Sequence, residues 1–412
     1  MSIEEIKSDV YKKLGFEIKS DSLKDEIQRC VVNSTHPFLV LNWATSVSKT
    51  RPSLQKIGTK KTLIGTSQIF HQENWLKEAK KWNVDVSTAT FCCHISMHKY
   101  IGDWDLVIID EGHRNVDQWE NFLLQSNVKE IIILSATIPT ETKKRLYQFG
   151  KPFISTITSM DAVNWGILPE PEINVIFLTL DNHFRNQIYE YGKDKKKKDV
   201  ECDYPTFVKQ YKYVSPKPNL KIKCTEQEWY TLHVERMEYF KSVAIKTKNE
   251  RMWQMLTQMG SQRKNFLASL KTKYVQKLLK KLEGERVVVF ANSIEQAMTF
   301  DKDAVHSQNK KGQVVIDEFN DGTRDLLISV KQLNEAMNLV NPDYGIVVQL
   351  DSSKKHLSSK PVNISGAQKL GRIWRSEVPV VYLFVYKMTQ DEEYFNDFKS
   401  TINVDWINYV KI

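Results

Sequence analysis

The sequence predicts an α/β fold built on parallel sheets, and three observations carry that expectation. Leu106-Val107-Ile108-Ile109 is a run of large aliphatic residues without polar alternation that stops on Asp110-Glu111-Gly112-His113. A strand apolar on both faces belongs in the middle of a parallel sheet covered by helices. Ile131-Ile132-Ile133-Leu134 repeats the pattern and ends on Ser135-Ala136-Thr137. Between such strands the apolar spacing switches to the helical period, the alternation that right-handed crossovers between parallel strands require. Carboxylates are not left inside such a sheet, so Asp110 and Glu111 emerge at its C-terminal edge, where open α/β sheets bind ligands. Adjacent acids at that edge suit nucleotide hydrolysis, one to hold a magnesium-water shell and the next to orient and deprotonate the attacking water.

The 412 residues suffice for two or three domains, each with its own core. Apolar residues make up 41% and charged residues 26%, an ordinary globular balance that argues against disorder. Cys30, Cys92, Cys93, Cys202 and Cys224 show no framework spacing. The expected setting is therefore reducing: the cytoplasm, or the host cytoplasm for a viral protein. Met1–Lys7 lacks a signal-peptide pattern, and no apolar run reaches membrane-spanning length, so a soluble protein is expected. The net charge of +9 and a pI near 9.0 favour a polyanionic partner.

Taken in order, Leu23, Ile27 and Val31 form the apolar face of a short helix with no evident chemistry. Pro37-Phe38-Leu39-Val40-Leu41-Asn42 is a buried strand, followed by Trp43-Ala44-Thr45-Ser46-Val47-Ser48-Lys49-Thr50. A strand, a tight turn of small residues and Lys-Thr opening a helix make a phosphate-binding loop, with Lys49 reaching the β/γ phosphates and Thr50 ligating magnesium. Ser48 stands where glycine normally precedes the lysine, and Trp43 takes the first small-residue place. A serine Cβ crowds the phosphate or resists the backbone angles needed there. Lys61–Thr66 gives another strand, and Gln72–Trp82 a helix in which Trp75, Leu76, Ala79 and Trp82 recur at core spacing. Val84 to Phe91 is a third strand candidate. Cys92, Cys93, His94 and His98 invite a metal, but neighbouring strand residues point to opposite faces and do not share one ion. Val116 to Leu124 is a helix with Trp119, Phe122 and Leu123 inward.

These residues carry a family resemblance. Ala44–Thr50, then Asp110-Glu111-Gly112-His113, then Ser135-Ala136-Thr137 resemble motifs I, II and III of superfamily 2 helicases, in order, and the second of them looks like the DExH box. Glu285–Ser293 resembles motif IV. Leu326–Val330 with Glu335-Ala336-Met337-Asn338-Leu339 resembles motif V, although Asn338 replaces the usual aspartate and Ala336 a glycine. Gln368-Lys369-Leu370-Gly371-Arg372-Ile373-Trp374-Arg375 resembles motif VI. The resemblance covers roughly residues 37 to 180 and 276 to 386. It implies two RecA-like domains of the P-loop NTPase class, and the helical pattern between the two halves adds an insertion on or before the second.

The expected organisation is an N-terminal RecA-like ATP-binding domain over 1–160, a crossing segment and first strand over 161–180, a basic, largely helical insertion over 181–275, and a C-terminal RecA-like helicase domain over 276–412. Lys193–Asp199 reads as a solvated charge run. From Glu226 to Leu282 the pattern is helical, most of its rings core, with Trp229 or Trp253 available for base stacking. Glu392 to Ile412 reads as a helix and tail.

The resemblance implies ATP and Mg2+ as cofactors, with Thr45, Ser46, Val47, Ser48, Lys49 and Thr50 binding phosphate and Thr50 and Asp110 binding the metal. Glu111 is the expected general base. His113, Ser135, Thr137 and Glu335 would couple nucleotide to strand, and Gln368, Arg372 and Arg375 would close the site from the second domain. Relatives grip the sugar-phosphate backbone, DNA being favoured and RNA an alternative. Compact helicases and translocases that remodel branched or recombining DNA, phage enzymes among them, look nearest. Rival readings are a motor subunit of a restriction-type complex and, in another class, a nucleic-acid-binding protein whose ATP site has decayed, with Ser48 and Asn338 as its scars.

Overall fold

Strands that are apolar on both faces run parallel in two successive six-stranded sheets, the parallel sheets that the apolar runs predict and the two RecA-like domains that the family resemblance implies. The computed structural model describes residues 2–15, 22–190, 199–214, 216–330, 339–351, 371, 373 and 376–411. Two helices come first, α1 (Ile3–Leu14) and α2 (Leu23–Asn33), the latter burying Ile27 and Val31. The first sheet comprises β1 (Phe38–Trp43), β2 (Thr62–Thr66), β3 (Ala89–Cys93), β4 (Asp103–Ile109), β5 (Asn127–Ser135) and β6 (Phe153–Ile157). Their order is β3-β2-β4-β5-β1-β6, every pair parallel. The connecting helices are α3 (Thr50–Gln55), α4 (Ile69–Lys81), α5 (Val116–Gln125) and α6 (Thr140–Leu146), with Trp119, Phe122 and Leu123 of α5 buried as expected.

This order matters chemically. β4, β5 and β1 are neighbours, so the three stretches that follow them share one edge. Pairing of Asn42 with Ser135 and of Ile109 with Ile133 sets Ser135 level with the residues just past Ile109. The third strand starts later than its apolar pattern suggests, at Ala89, because the Asp85 carboxylate accepts from both the backbone N–H and the hydroxyl of Ser87 and holds that stretch as a turn.

Helix α7 (Ser159–Asn164) opens the crossing to the second domain and is capped reciprocally by Thr158 and Asp161. The N-terminal helix holds this crossing: Trp165 donates to Asp9, and Lys13 pairs with Asp161 at 2.5 Å.

After β7 (Glu172–Leu178) comes the insertion. It holds β8 (Asn186–Glu190), β9 (Val200–Asp203), α8 (Tyr204–Tyr211), β10 (Leu220–Cys224) and the long hairpin of α9 (Glu226–Thr247) and α10 (Glu250–Leu270), followed by α11 (Thr272–Lys281). The three-stranded sheet β8-β10-β9 is an addition to the helical segment expected there. Its signal was present in Leu220-Lys221-Ile222-Lys223-Cys224, strict alternation with Leu220, Ile222 and Cys224 buried. They pack with Phe207, Trp229 and Leu232. Trp229, one of the two rings expected to be available for stacking, is therefore core, whereas Trp253 is 44% exposed. The charge run at 193–199 lies outside the described residues except Asp199.

The second sheet adds β11 (Val287–Phe290), β12 (Leu326–Ser329), β13 (Tyr344–Val347), β14 (Val380–Tyr386) and β15 (Ile407–Tyr409) in the order β12-β11-β13-β14-β7-β15, all parallel. Helices α12 (Ile294–Phe300), α13 (Gly312–Asp321) and α14 (Gln390–Lys399) accompany it. The tail does more than pack, since β15 extends the sheet beside β7 and Tyr409 stacks on Phe177 at 5.5 Å. No helix among the described residues is long and apolar enough to cross a membrane.

Candidate active site

The loop after β1 shows why two unusual residues are accommodated. Trp43 turns away from the loop into the sheet, fully buried, and its indole N–H donates to Ser155 at 2.8 Å. Ser46 and Ser48 both take left-handed backbone angles, φ 71° and 66°. The loop therefore adopts the conformation for which glycine is normally chosen, and Ser48 carries the strain. The Lys49 ammonium donates to the carbonyls of Trp43 (2.9 Å) and Ala44 (3.3 Å), folding back over the loop. Thr50 opens α3, and the Ser53 hydroxyl ties back to the Lys49 carbonyl. From α2, the Gln28 amide reaches the carbonyls of Val47 and Ser48, each at 3.4 Å. Gln28 was not singled out from the sequence; its signal was a polar residue set between Ile27 and Val31 on an apolar helix face.

Past the end of β4 the chain turns sharply. Glu111 sits at φ 51°, and its N–H donates to Oδ1 of Asp110 at 3.0 Å. Gly112 allows the next step: a Cβ there would lie 2.3 Å from Cγ2 of Ile133, while its N–H donates to the Leu134 carbonyl at 2.8 Å. The turn brings His113 over β5, with Nδ1 2.9 Å from the Ser135 hydroxyl and 3.4 Å from Oε2 of Glu111. Ser135 donates onward to the Thr137 carbonyl and accepts from the Thr137 N–H, which leaves the imidazole as donor from Nδ1. His113, Ser135 and Thr137 thus form one hydrogen-bonded chain, with the Glu111 carboxylate 3.4 Å from its first member.

Burial pushes the Asp110 carboxyl up to about 6, reinforced by the Glu111 charge and opposed by the Trp75 hydrogen bond and the Lys49 charge. Burial also lowers His113, so its imidazole is neutral near pH 7 despite Glu111. Trp75 was expected to be core, and it is buried, but its indole N–H also donates to Oδ2 of Asp110 at 3.0 Å. A buried indole needs an acceptor, and that requirement was the available signal.

A hydroxyl on Thr50 and a carboxylate on Asp110 are hard oxygen donors of the kind magnesium takes. Asp110 holds one protein N–H on each oxygen, leaving further lone pairs, so the residues present fit that ion. Among the described residues no cluster of three or more His, Cys, Asp or Glu side chains is placed to hold a metal ion.

The second domain reaches this edge through Gly371. Its carbonyl accepts from the Ser46 hydroxyl at 2.5 Å, and its Cα packs on Thr45 so closely that a Cβ would fall 2.4 Å from the threonine Cβ. Ile373 is fully buried against Gly345 of β13. Glu335, Gln368, Arg372 and Arg375 lie outside the described residues, as does Asn338.

No curated protein sequence matches this chain. Among solved structures it is similar to Saccharomyces cerevisiae Dbp5 bound to RNA and ADP-BeF3, at 10% identity, covering 100% of this chain and 95% of that one with a TM-score of 0.55. A Dbp5 variant bound to Gle1 and IP6 is similar at 8% identity over 100% and 95%, TM-score 0.52. The Pyrococcus furiosus Hef helicase domain matches at 13% identity over 90% and 96%, with a TM-score of 0.40. At such identities the likeness to Dbp5 is one of fold. Residues 270–377 match the helicase conserved C-terminal domain. The chain thus has two RecA-like domains, the second overlapping the stretch that matches the helicase C-terminal domain, and Gly371 of that stretch rests on the loop after β1 of the first.

Proposed function

We propose that the protein is an ATP-driven nucleic-acid helicase or translocase of the superfamily 2 DExH type, acting on DNA. The observation that carries this reading is the contact of Gly371 with Thr45 and Ser46, on the sheet edge that also bears Lys49, Asp110 and Glu111. A nucleotide site between two RecA-like lobes turns chemistry into relative motion of the lobes.

In this reading the Lys49 ammonium exchanges the carbonyls of Trp43 and Ala44 for the β/γ phosphates, and the loop N–H groups receive the remaining phosphate oxygens. Magnesium, held by Thr50 and Asp110, supplies charge neutralisation on the triphosphate when bound. Glu111 orients the attacking water and takes its proton. His113 passes a change at Glu111 to Ser135 and Thr137 at the end of β5. By family resemblance Gln368, Arg372 and Arg375 complete the site from the second domain, and Glu335 joins the coupling set. The decayed-site alternative is disfavoured, because the Ser48 backbone already takes the left-handed angle the loop needs.

The net charge of +9 supports a polyanionic track gripped through its phosphates. RNA is the second reading, on the similarity to a Dbp5 structure that holds RNA. ATP turnover with single-stranded, duplex and branched DNA and with RNA, comparing wild type with Glu111→Gln, tests both. We expect stimulation by DNA that weakens steeply with salt and a loss of at least about a hundredfold in the variant. Turnover that no polymer raises above the variant's level would end this reading.

A further inference from the structure

We propose that Trp75 is a positioning residue for nucleotide hydrolysis, its indole N–H holding Oδ2 of Asp110 so that the carboxylate keeps one orientation toward the cleft. The inference rests on the reading of Asp110 as the carboxylate of the magnesium site.

Asp110 is fixed at three points. Its backbone N–H donates to the Gly65 carbonyl at 2.8 Å, its Oδ1 accepts from Glu111 N–H at 3.0 Å, and its Oδ2 accepts from Trp75 at 3.0 Å. Rotation about χ2 of an aspartate is soft, with a broad and nearly two-fold profile. The Glu111 bond restrains one oxygen only, and it comes from a residue in a left-handed backbone conformation. Trp75 is the second restraint, and it is stiff, because its ring is 2% exposed on α4. With each oxygen holding one N–H, the remaining lone pairs point in set directions. A carboxylate left to rotate would meet a metal ion less well; outer partners of this kind typically set affinity or activity by about 10–100-fold.

Other buried indoles show what a purely structural bond looks like. Trp104 donates to the Tyr100 carbonyl at 2.9 Å and Trp43 to the Ser155 hydroxyl at 2.8 Å, each tying one piece of scaffold to another. Trp75 instead donates to the carboxylate of Asp110, a half-buried residue at the sheet edge.

The test uses the full chain and measures ADP binding by calorimetry across a magnesium titration, with ATP turnover alongside. Trp75→Phe removes the N–H and keeps an aromatic ring; Trp75→Met, flexible and apolar, serves if the phenylalanine variant does not fold. Trp104→Phe is the control for losing a structural indole bond. We expect ADP affinity without magnesium within about twofold of wild type, and the gain that magnesium confers reduced about tenfold in the Trp75 variants alone. If Asp110→Asn loses that gain while the Trp75 variants keep it, the positioning role is overturned and the site reading stands. If the gain survives in Asp110→Asn as well, the metal assignment falls and takes this inference with it.

Discussion

At φ 66°, Ser48 occupies the left-handed region that glycine enters freely, and this one angle places backbone strain in the loop after β1. Ser48→Gly relieves about 1–2 kcal/mol of backbone strain but loosens the unfolded chain by a similar amount, so its melting temperature should stay close to wild type with ATP turnover retained. Ser48→Val puts a β-branched residue at the same angle and should destabilise by about 2 kcal/mol or more, as thermal unfolding would show. Two buried imidazoles set a pH response at the same scale. Burial lowers His94 to about 4, while the same effect, aided by the Arg236 and Arg263 charges, lowers His233 to about 3. Both stay neutral in the fold while the unfolded chain protonates them near 6.5. Their contribution is complete above that value and is lost as pH falls toward 4 and 3. His233→Phe should therefore remove about 2 kcal/mol of the stability difference between pH 7 and pH 5, measured by denaturant unfolding at both.

Elements put these residues into register. The sheet order β4-β5-β1 gathers three stretches that are remote in sequence, and the close approach of Gly112 to Ile133 locks the turn after β4 onto β5. In the second domain Gly345 of β13 plays the same part for Ile373: a Cβ there would fall 1.8 Å from Ile373 Cδ1. Gly345→Ala should lift the segment that carries Gly371 off the sheet, costing about 1–3 kcal/mol in stability and at least about tenfold in turnover. Ile373→Val in the same chain, which removes that Cδ1, should restore part of both. The long apolar strands were legible because burial on both faces writes an unbroken run. Strands with one exposed face were harder: Asn186–Glu190 carries little burial, and only Leu220–Cys224 shows clean alternation. The start of β3 is not legible in apolar spacing, because the turn made by Asp85 and Ser87 depends on side-chain capture of the backbone.

Over the whole molecule, the decisive contact is the one between lobes. Ser46 donates to the Gly371 carbonyl, Thr45 leaves no room for a Cβ on Gly371, and Lys77 of α4 lies 3.9 Å from Asp317 of α13. The Lys77 pair is exposed and contributes little. Gly371→Ala should hold the lobes apart, lowering turnover at least about tenfold while nucleic-acid binding at low salt is preserved. Small-angle scattering should show a larger radius of gyration than wild type with ADP-BeF3 and magnesium. By itself the sequence determined the parallel sheets, the small-residue turn before Lys49 and Thr50, the paired acids at a strand end and the basic balance. Each of these is written in a short window, as an apolar run, a spacing or a count of charges. That Trp75 meets Asp110, that Gln28 reaches the loop, that Ser135 stands beside His113 and that Gly371 lies on Thr45 were decided by tertiary structure alone. Such pairs depend on which strands become neighbours and how two domains dock, and no local pattern of side chains contains that geometry.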